Sequence, residues 1–68
     1  MRRIGSELTQ GDMVRFRPSG RHYDLYGEVV MLDGVLRIRI LQRPDIPEEL
    51  HGAIWGLWPN HRYLVVNE

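Results

Sequence analysis

The sequence predicts a small all-β domain, and three observations lead to that prediction. Two aliphatic runs within residues 25–42 flank an Asp-Gly dipeptide, residues 13–17 alternate between apolar and charged side chains, and glycines and prolines interrupt the rest of the chain at short intervals. Short alternating runs separated by turn residues are typical of strands and leave no room for a long helix. We assign residues 1–68 to a single domain and residues 1–10 to an N-terminal extension.

Residues 25–42 carry the strongest local signal, which is that of a β-hairpin. Asp33-Gly34 is typical of a two-residue type I′ turn, because both central positions of that turn need a positive φ angle. The turn fixes the register, and the predicted partners are Leu32 with Val35, Met31 with Leu36, Val29 with Ile38, Glu28 with Arg39, and Gly27 with Ile40. Side chains alternate between faces, so the predicted core residues are Val29, Met31, Leu36, Ile38 and Ile40. The exposed residues should include Arg37 and Arg39.

Two shorter elements flank the hairpin. A strand over residues 13–17 directs Val14 and Phe16 to one face, and it ends at Pro18 because proline cannot donate a ladder hydrogen bond. Residues 47–51 begin with a proline followed by two glutamates, which favours a single helical turn.

The C-terminal part of the chain predicts two more strands. Residues 53–58 are apolar enough for a short strand, and residues 62–66 form the last one, with Leu64 and Val66 on one face. Five short strands predict either a barrel or a two-sheet sandwich. At this length a small closed five-stranded barrel is favoured, because closure leaves few exposed edges.

Composition limits the classes of function. The chain has no cysteine, so it has no disulfide, and its 43% hydrophobic content predicts a packed core. All nine basic residues are arginine, and nine acidic residues bring the net charge to zero. A dedicated nucleic-acid binder is usually basic, so this balance argues against nucleic acid as the sole partner. No signal peptide and no apolar run of roughly 20 residues is recognisable, which predicts a cytoplasmic protein.

A set of short motifs resembles the SH3-like barrels. These are Gly11-Asp12-Met13-Val14, then Tyr26-Gly27-Glu28-Val29, and then the Asp33-Gly34 hairpin. The order of a GD-x-V strand and a G-x-V strand is similar to the KOW-type barrels. The turn Trp58-Pro59-Asn60-His61-Arg62-Tyr63 is similar to the one before the last strand of retroviral-integrase C-terminal barrels. The resemblance spans residues 10–66 and implies a small barrel, a fold that carries many unrelated functions.

Catalytic and metal-binding chemistry find little support in the sequence. The serines, Ser6 and Ser19, lie in predicted turns without a recognisable base. The histidines are interpreted as surface loop residues: His22, His51 and His61. A metal site would need a fortunate arrangement of His22, Asp24, His51 and His61. We therefore predict a protein that is not an enzyme and that has no metal and no cofactor.

Four arginines form the first candidate binding surface. They alternate with core residues on strands that flank the strand of Glu28, and they are Arg15, Arg17, Arg37 and Arg39. Two rows of arginine around one acid can contact phosphates. The alternative interpretation is an ordinary solvated face, on which the arginine stems cover apolar neighbours.

Aromatic side chains form the second candidate. The cluster comprises Tyr23, Tyr26, Trp55, Trp58 and Tyr63. The two tryptophans should lie on opposite strand faces unless Gly56 introduces a bulge, so one fills the core and the other is exposed with Tyr26. Exposed tryptophan and tyrosine favour protein contacts or base stacking. The alternative is that both tryptophans cap the open ends of a tiny barrel.

Apolar residues on the outer face of the hairpin predict self-association. They are Tyr26, Val30, Leu32, Val35 and Leu41, with Glu28 and Arg39 expected at the rim of the interface. The leading functional prediction is a non-catalytic, self-associating binding module that contacts protein through this face and the aromatics. The first alternative is a nucleic-acid-binding barrel that uses the four arginines. A remote alternative is an oligomeric enzyme with a site between subunits.

Overall fold

The structure, a computed structural model, describes residues 1–66 and consists of strands, turns and loops. The strands are β1 (Arg2–Ile4), β2 (Met13–Phe16), β3 (Leu25–Leu32), β4 (Val35–Ile40), β5 (Ile54–Gly56) and β6 (Arg62–Val65). Two single 3₁₀ turns lie at Gly5–Glu7 and Glu48–Leu50. The predicted all-β fold is confirmed. Within residues 1–66, no helix is long and apolar enough to cross a membrane.

All six strands belong to one antiparallel sheet, and that sheet is open. Its order is β1-β6-β2-β3-β4-β5, so β1 and β5 form the two edges. The predicted closed barrel of five strands is therefore not confirmed. The sixth strand, β1, lies inside the segment assigned to an N-terminal extension, and it pairs with β6 through Arg3↔Tyr63. Its three residues are too few to show an alternating pattern in the sequence.

The sheet curves around one core. Its extents of 27 × 26 × 25 Å are nearly equal, whereas a flat sheet of this size would be about 10 Å thick. The core residues come from β2, β3, β4, β6 and two loops: Leu8, Val14, Phe16, Leu25, Val29, Ile38, Ile40, Ile46 and Tyr63. Curvature brings β5 back towards β2, where the rings of Phe16 and Trp55 meet edge to face at 6.2 Å. We call the gap between β5 and the β2–β6 side of the sheet the seam.

The predicted hairpin is confirmed in turn and in register. Asp33 and Gly34 have φ angles of 51° and 77°, and every predicted partner is found opposite its residue. Glu28 and Arg39 form an ion pair, with 3.1 Å between Oε1 and Nη2. The predicted burial also holds for Val29, Ile38 and Ile40, while Leu36 is half-buried and Arg37 and Arg39 are exposed.

The prediction that Met31 lies in the core is wrong, because this residue is 45% exposed. The register between β2 and β3 ends at Met13↔Glu28, so β3 continues beyond its neighbour. Residues 30–36, which we call the hairpin tip, therefore extend past β2 and receive little cover on the core side.

The two predicted C-terminal strands are present but shorter than residues 53–58 and 62–66, since β5 ends at Gly56 and β6 at Val65. The helical turn after Pro47 is the 3₁₀ turn Glu48–Leu50. In β6, Tyr63 is 2% exposed and lies in the core, so alternation places Leu64 on the outer face. The shared face of Leu64 and Val66 stays a prediction, because Val66 lies beyond the end of β6 at Val65.

Replacing Gly34 by valine should test the turn. Gly34 has a φ of 77° and no atom near its missing Cβ, so the cost is purely one of backbone conformation. We expect Gly34→Val to lower the free energy of unfolding by about 1–2 kcal/mol. Urea unfolding measures this loss. The matched control is Asp33→Asn, which keeps a residue that tolerates positive φ and should be near neutral; equal stability of both variants would contradict the assigned turn.

Candidate binding groove

An apolar groove of about 320 Å³ follows the seam. We call it the aromatic groove, and its lining residues are Phe16, Pro18, Ile54, Trp55, Gly56, Trp58, His61 and Tyr63. Strand β5 forms one wall. The end of β2, the start of β6 and the loop before β6 form the other wall.

Ring contacts hold the second wall in place. The ring centroids of Phe16 and Tyr63 lie 5.4 Å apart, those of His61 and Tyr63 4.8 Å, and those of Trp58 and His61 5.7 Å. The hydroxyl of Tyr63 accepts a hydrogen bond of 3.2 Å from the backbone N–H of Trp58. Burial raises the pKa of Tyr63 above its usual 10.0, against the opposing effect of that N–H, so the phenol is neutral at physiological pH.

The N-terminal segment fixes the loop that carries Trp58. Gly5 is buried and donates its N–H to the carbonyl of His61 at 2.9 Å, and Ser6 donates to the carbonyl of Pro59 at 3.0 Å. A Cβ atom at Gly5 would overlap the carbonyl oxygen of Trp58. Only glycine therefore permits this approach of the two backbones.

Both tryptophans reach the same groove, although strand alternation predicted opposite faces. Strand β5 ends at Gly56, so the alternation stops before Trp58. Trp55 is half-buried against the core, and the guanidinium carbon of Arg21 lies 5.9 Å from its ring centroid. Trp58 is the exposed tryptophan, at 57%. The sequence signal for this arrangement was the glycine between them.

A second groove with a basic lining adjoins the first and shares three of its aromatic residues. We call it the basic groove, and its charged lining residues are Arg2, Arg15, Arg17, Arg62 and Asp24. The Nε of Arg17 lies 3.0 Å from Oδ1 of Asp24, and the Nε of Arg15 lies 3.7 Å from Oδ2. Four arginines and one aspartate therefore line this groove, and two of the arginines contact the carboxylate.

The four arginines predicted as one surface are divided between two places. Arg15 and Arg17 line the basic groove, whereas Arg37 and Arg39 lie on β4, with β3 between them and β2. Sequence reasoning missed Arg2 because β1 was not predicted, and it missed Arg62 because the pairing of β6 with β2 was not predicted.

The predicted outer apolar face is also divided. The guanidinium carbon of Arg43 covers Tyr26 at 3.9 Å from the ring centroid, and the ion pair of Glu28 with Arg39 lies between Tyr26 and the hairpin tip. At the tip, Leu32 is 40% and Val35 is 49% exposed. Two further members are half-buried, namely Val30 and Leu41. Tyr23, the remaining aromatic candidate, accepts a hydrogen bond from Arg21 at 3.2 Å.

The histidines have separate surroundings. His22 is exposed, while the Nε2 of His51 lies 3.0 Å from the carbonyl oxygens of both Arg43 and Ile46 and holds that loop closed. His61 packs in the aromatic groove. In the described chain, residues 1–66, no three His, Asp or Glu side chains come together in a way that could hold a metal ion.

Comparisons with known proteins give no relative. No protein-family model matches the chain, and no curated protein or solved structure is significantly similar to it. Function is therefore inferred from the two grooves and from the exposed apolar residues.

Gly5→Ala should separate the Gly5 contact from general effects of adding a methyl group. The new Cβ would force the Trp58 backbone away, and we expect a loss of about 1–3 kcal/mol in unfolding free energy. Tryptophan emission of the folded protein should shift as well, because Trp58 moves. The control is Gly56→Ala, whose Cβ would meet only Nε1 of Trp58 at 3.8 Å and should cost little. Thermal unfolding with fluorescence detection measures both, and equal losses would count against the Gly5 contact.

Proposed function

We propose that the chain is a non-catalytic protein-binding module and that the aromatic groove is its binding site. The observation that carries this proposal is the exposed Trp58 at the rim of an apolar groove that the chain does not fill with its own side chains. Binding sites are typically concave and apolar, and tryptophan is enriched among the residues that dominate binding energy. The proposal includes an SH3-like relationship in which the sheet stays open at the seam and the opening forms the groove.

Charge supports protein over nucleic acid as the main partner. The net charge is zero, and four of the nine arginines pair with carboxylates: Arg15, Arg17, Arg39 and Arg43. Single-stranded nucleic acid is the second candidate, since the basic groove adjoins aromatic rings on which bases could stack. Its binding would weaken steeply with salt.

Selection of random displayed peptides against the immobilised protein tests the first candidate. Enriched peptides should bind the free protein, and Trp58→Ala should weaken them by roughly 30-fold, the effect of losing a binding hot spot of about 2 kcal/mol. The control is Met31→Ala, an exposed apolar residue at the hairpin tip, which should leave affinity unchanged. Titrations followed by calorimetry give both values. If peptides bind Trp58→Ala as well as the wild type, the aromatic groove is not the site.

We also propose that two copies associate through the hairpin tip. Leu32 and Val35 form a cross-strand pair on one face, with exposures of 40% and 49%. A second copy related by a two-fold axis could cover these side chains with its own. Burial of a few hundred Å² contributes on the order of several kcal/mol, before the entropic cost of association, so the expected dimer is weak.

Val35→Glu should produce a monomer. Its carboxylate would have to be buried in the proposed interface, and the exposed position spares the fold. Sedimentation equilibrium over a wide concentration range should show a monomer–dimer equilibrium for the wild type and none for the variant. Arg37→Gln, on the same face of β4, is the control and should still dimerise. A wild type that stays monomeric at millimolar concentration would contradict association through the tip.

A further inference from the structure

Strand β5 has a neighbour on one side only. It pairs with β4 through Ile38↔Trp55, and the N–H of Ile40 donates to the carbonyl of Ala53 at 2.9 Å. In an antiparallel ladder, successive residues direct their peptide groups to opposite sides of the strand. The carbonyl of Ala53 and the peptide groups of Trp55 therefore face β4, the N–H of Ala53 donates to the carbonyl of Leu50, and the peptide groups of Ile54 and Gly56 face the seam. No other segment within residues 1–66 hydrogen-bonds to them from that side.

Strand β5 itself has no charged side chain and no proline that would block pairing at this edge. Exposed edge strands are commonly blocked by charged side chains, by proline or by a bulge. Strand β5 reads Ile-Trp-Gly, with Ile54 47% exposed, and Gly56 has no side chain to screen its peptide groups. All three residues line the aromatic groove. An extended segment in the groove can thus reach the edge of β5 with its backbone and the aromatic wall with alternate side chains.

Charge indicates what kind of segment fits. The basic groove shares Phe16, His61 and Tyr63 with the aromatic groove, and its charged lining consists of four arginines and Asp24. Asp24 already pairs with two of these arginines. Among the ion pairs of residues 1–66, none involves Arg2 or Arg62. Carboxylates on the ligand would give these two arginines charge-assisted hydrogen bonds.

We propose that the groove takes an extended acidic segment of a partner protein, which adds to β5 as a further antiparallel or parallel strand and places its carboxylates on Arg2 and Arg62. The inference rests on the proposed function and deepens it, since it names the chemistry of the ligand and the way its backbone is held.

The probe is a blocked nonapeptide with alternating valine and leucine in its centre and three glutamates at one end. It is made in two forms, with the glutamates first or last, because the direction of the added strand is open. Each form has a control peptide in which glutamine replaces glutamate. Two further control peptides carry N-methyl groups on alternate backbone nitrogens. In one peptide the methyl groups lie on one side of the extended chain, and in the other peptide they lie on the opposite side.

One glutamate form should bind about tenfold more tightly than its glutamine control at low salt, and high salt should reduce this difference. N-methylation on one side of the peptide should abolish binding, and N-methylation on the other side should be tolerated, since only one side meets β5. In the complex, amide exchange at Gly56 should slow, as measured by nuclear magnetic resonance.

A matched pair of variants locates the charge effect. Arg62→Gln should lower the affinity for the glutamate peptide by about tenfold and leave the glutamine peptide unaffected. Arg37→Gln removes an equally exposed arginine from β4, outside both grooves, and should change neither affinity.

The outcomes separate this inference from the proposed function. Equal affinity for glutamate and glutamine peptides, or equal effects of N-methylation on both sides, would overturn the acidic added strand. The proposed function would survive that result if Trp58→Ala still weakened the selected peptides. Absence of binding by every nonapeptide also overturns the inference. Salt-dependent binding of a single-stranded oligonucleotide in the groove, with no peptide binding, would overturn both and assign the groove to nucleic acid.

Discussion

The pairing of β3 with β4 decides which side chains lie inside, and the other strands take their positions from it. The Asp33-Gly34 turn sets this register, so Val29 and Ile38 face each other on the inner side of the sheet. Strand β2 then joins the free side of β3 at Gly27, where a Cβ atom would overlap the side chain of Ile38. A slip by one residue would exchange the inner and outer faces of both strands, and the core would be lost.

Local signals explain what could be predicted from the sequence, and long-range pairing explains what could not. The hairpin and β2 follow from turn chemistry and alternation, which neighbouring residues carry. Strand β1 has three residues, and its pairing joins the two ends of the chain, so no local pattern marks it. The exposure of Met31 has a similar origin. It depends on where β2 ends relative to β3, and the sequence of the hairpin carries no signal for that position.

The grooves are assembled from segments that are distant in sequence. Sequence reasoning identified Trp55, Trp58 and Tyr63 as binding candidates, but their convergence depends on Gly5, which lies against the Trp58 backbone. Likewise, Arg15 and Arg17 were recognised from the alternation of their strand, whereas Arg2 and Arg62 join them in the basic groove from β1 and β6. Residue types that favour binding can thus be read from the sequence, while their grouping depends on the curvature of the open sheet around its core.

The open seam costs stability, and in the proposed function it provides the binding surface. A closed barrel would pair the edge of β5 and bury more of Trp58, and each added hydrogen bond would contribute about 0.5–1.5 kcal/mol. A domain of 68 residues has little stability in reserve, so leaving this pairing unmade is costly. A ligand strand could recover the same hydrogen bonds and cover the same indole. Because only Ile54 and Gly56 offer peptide groups to the seam, the backbone alone would bind weakly, and the aromatic wall and the arginines would have to supply the rest.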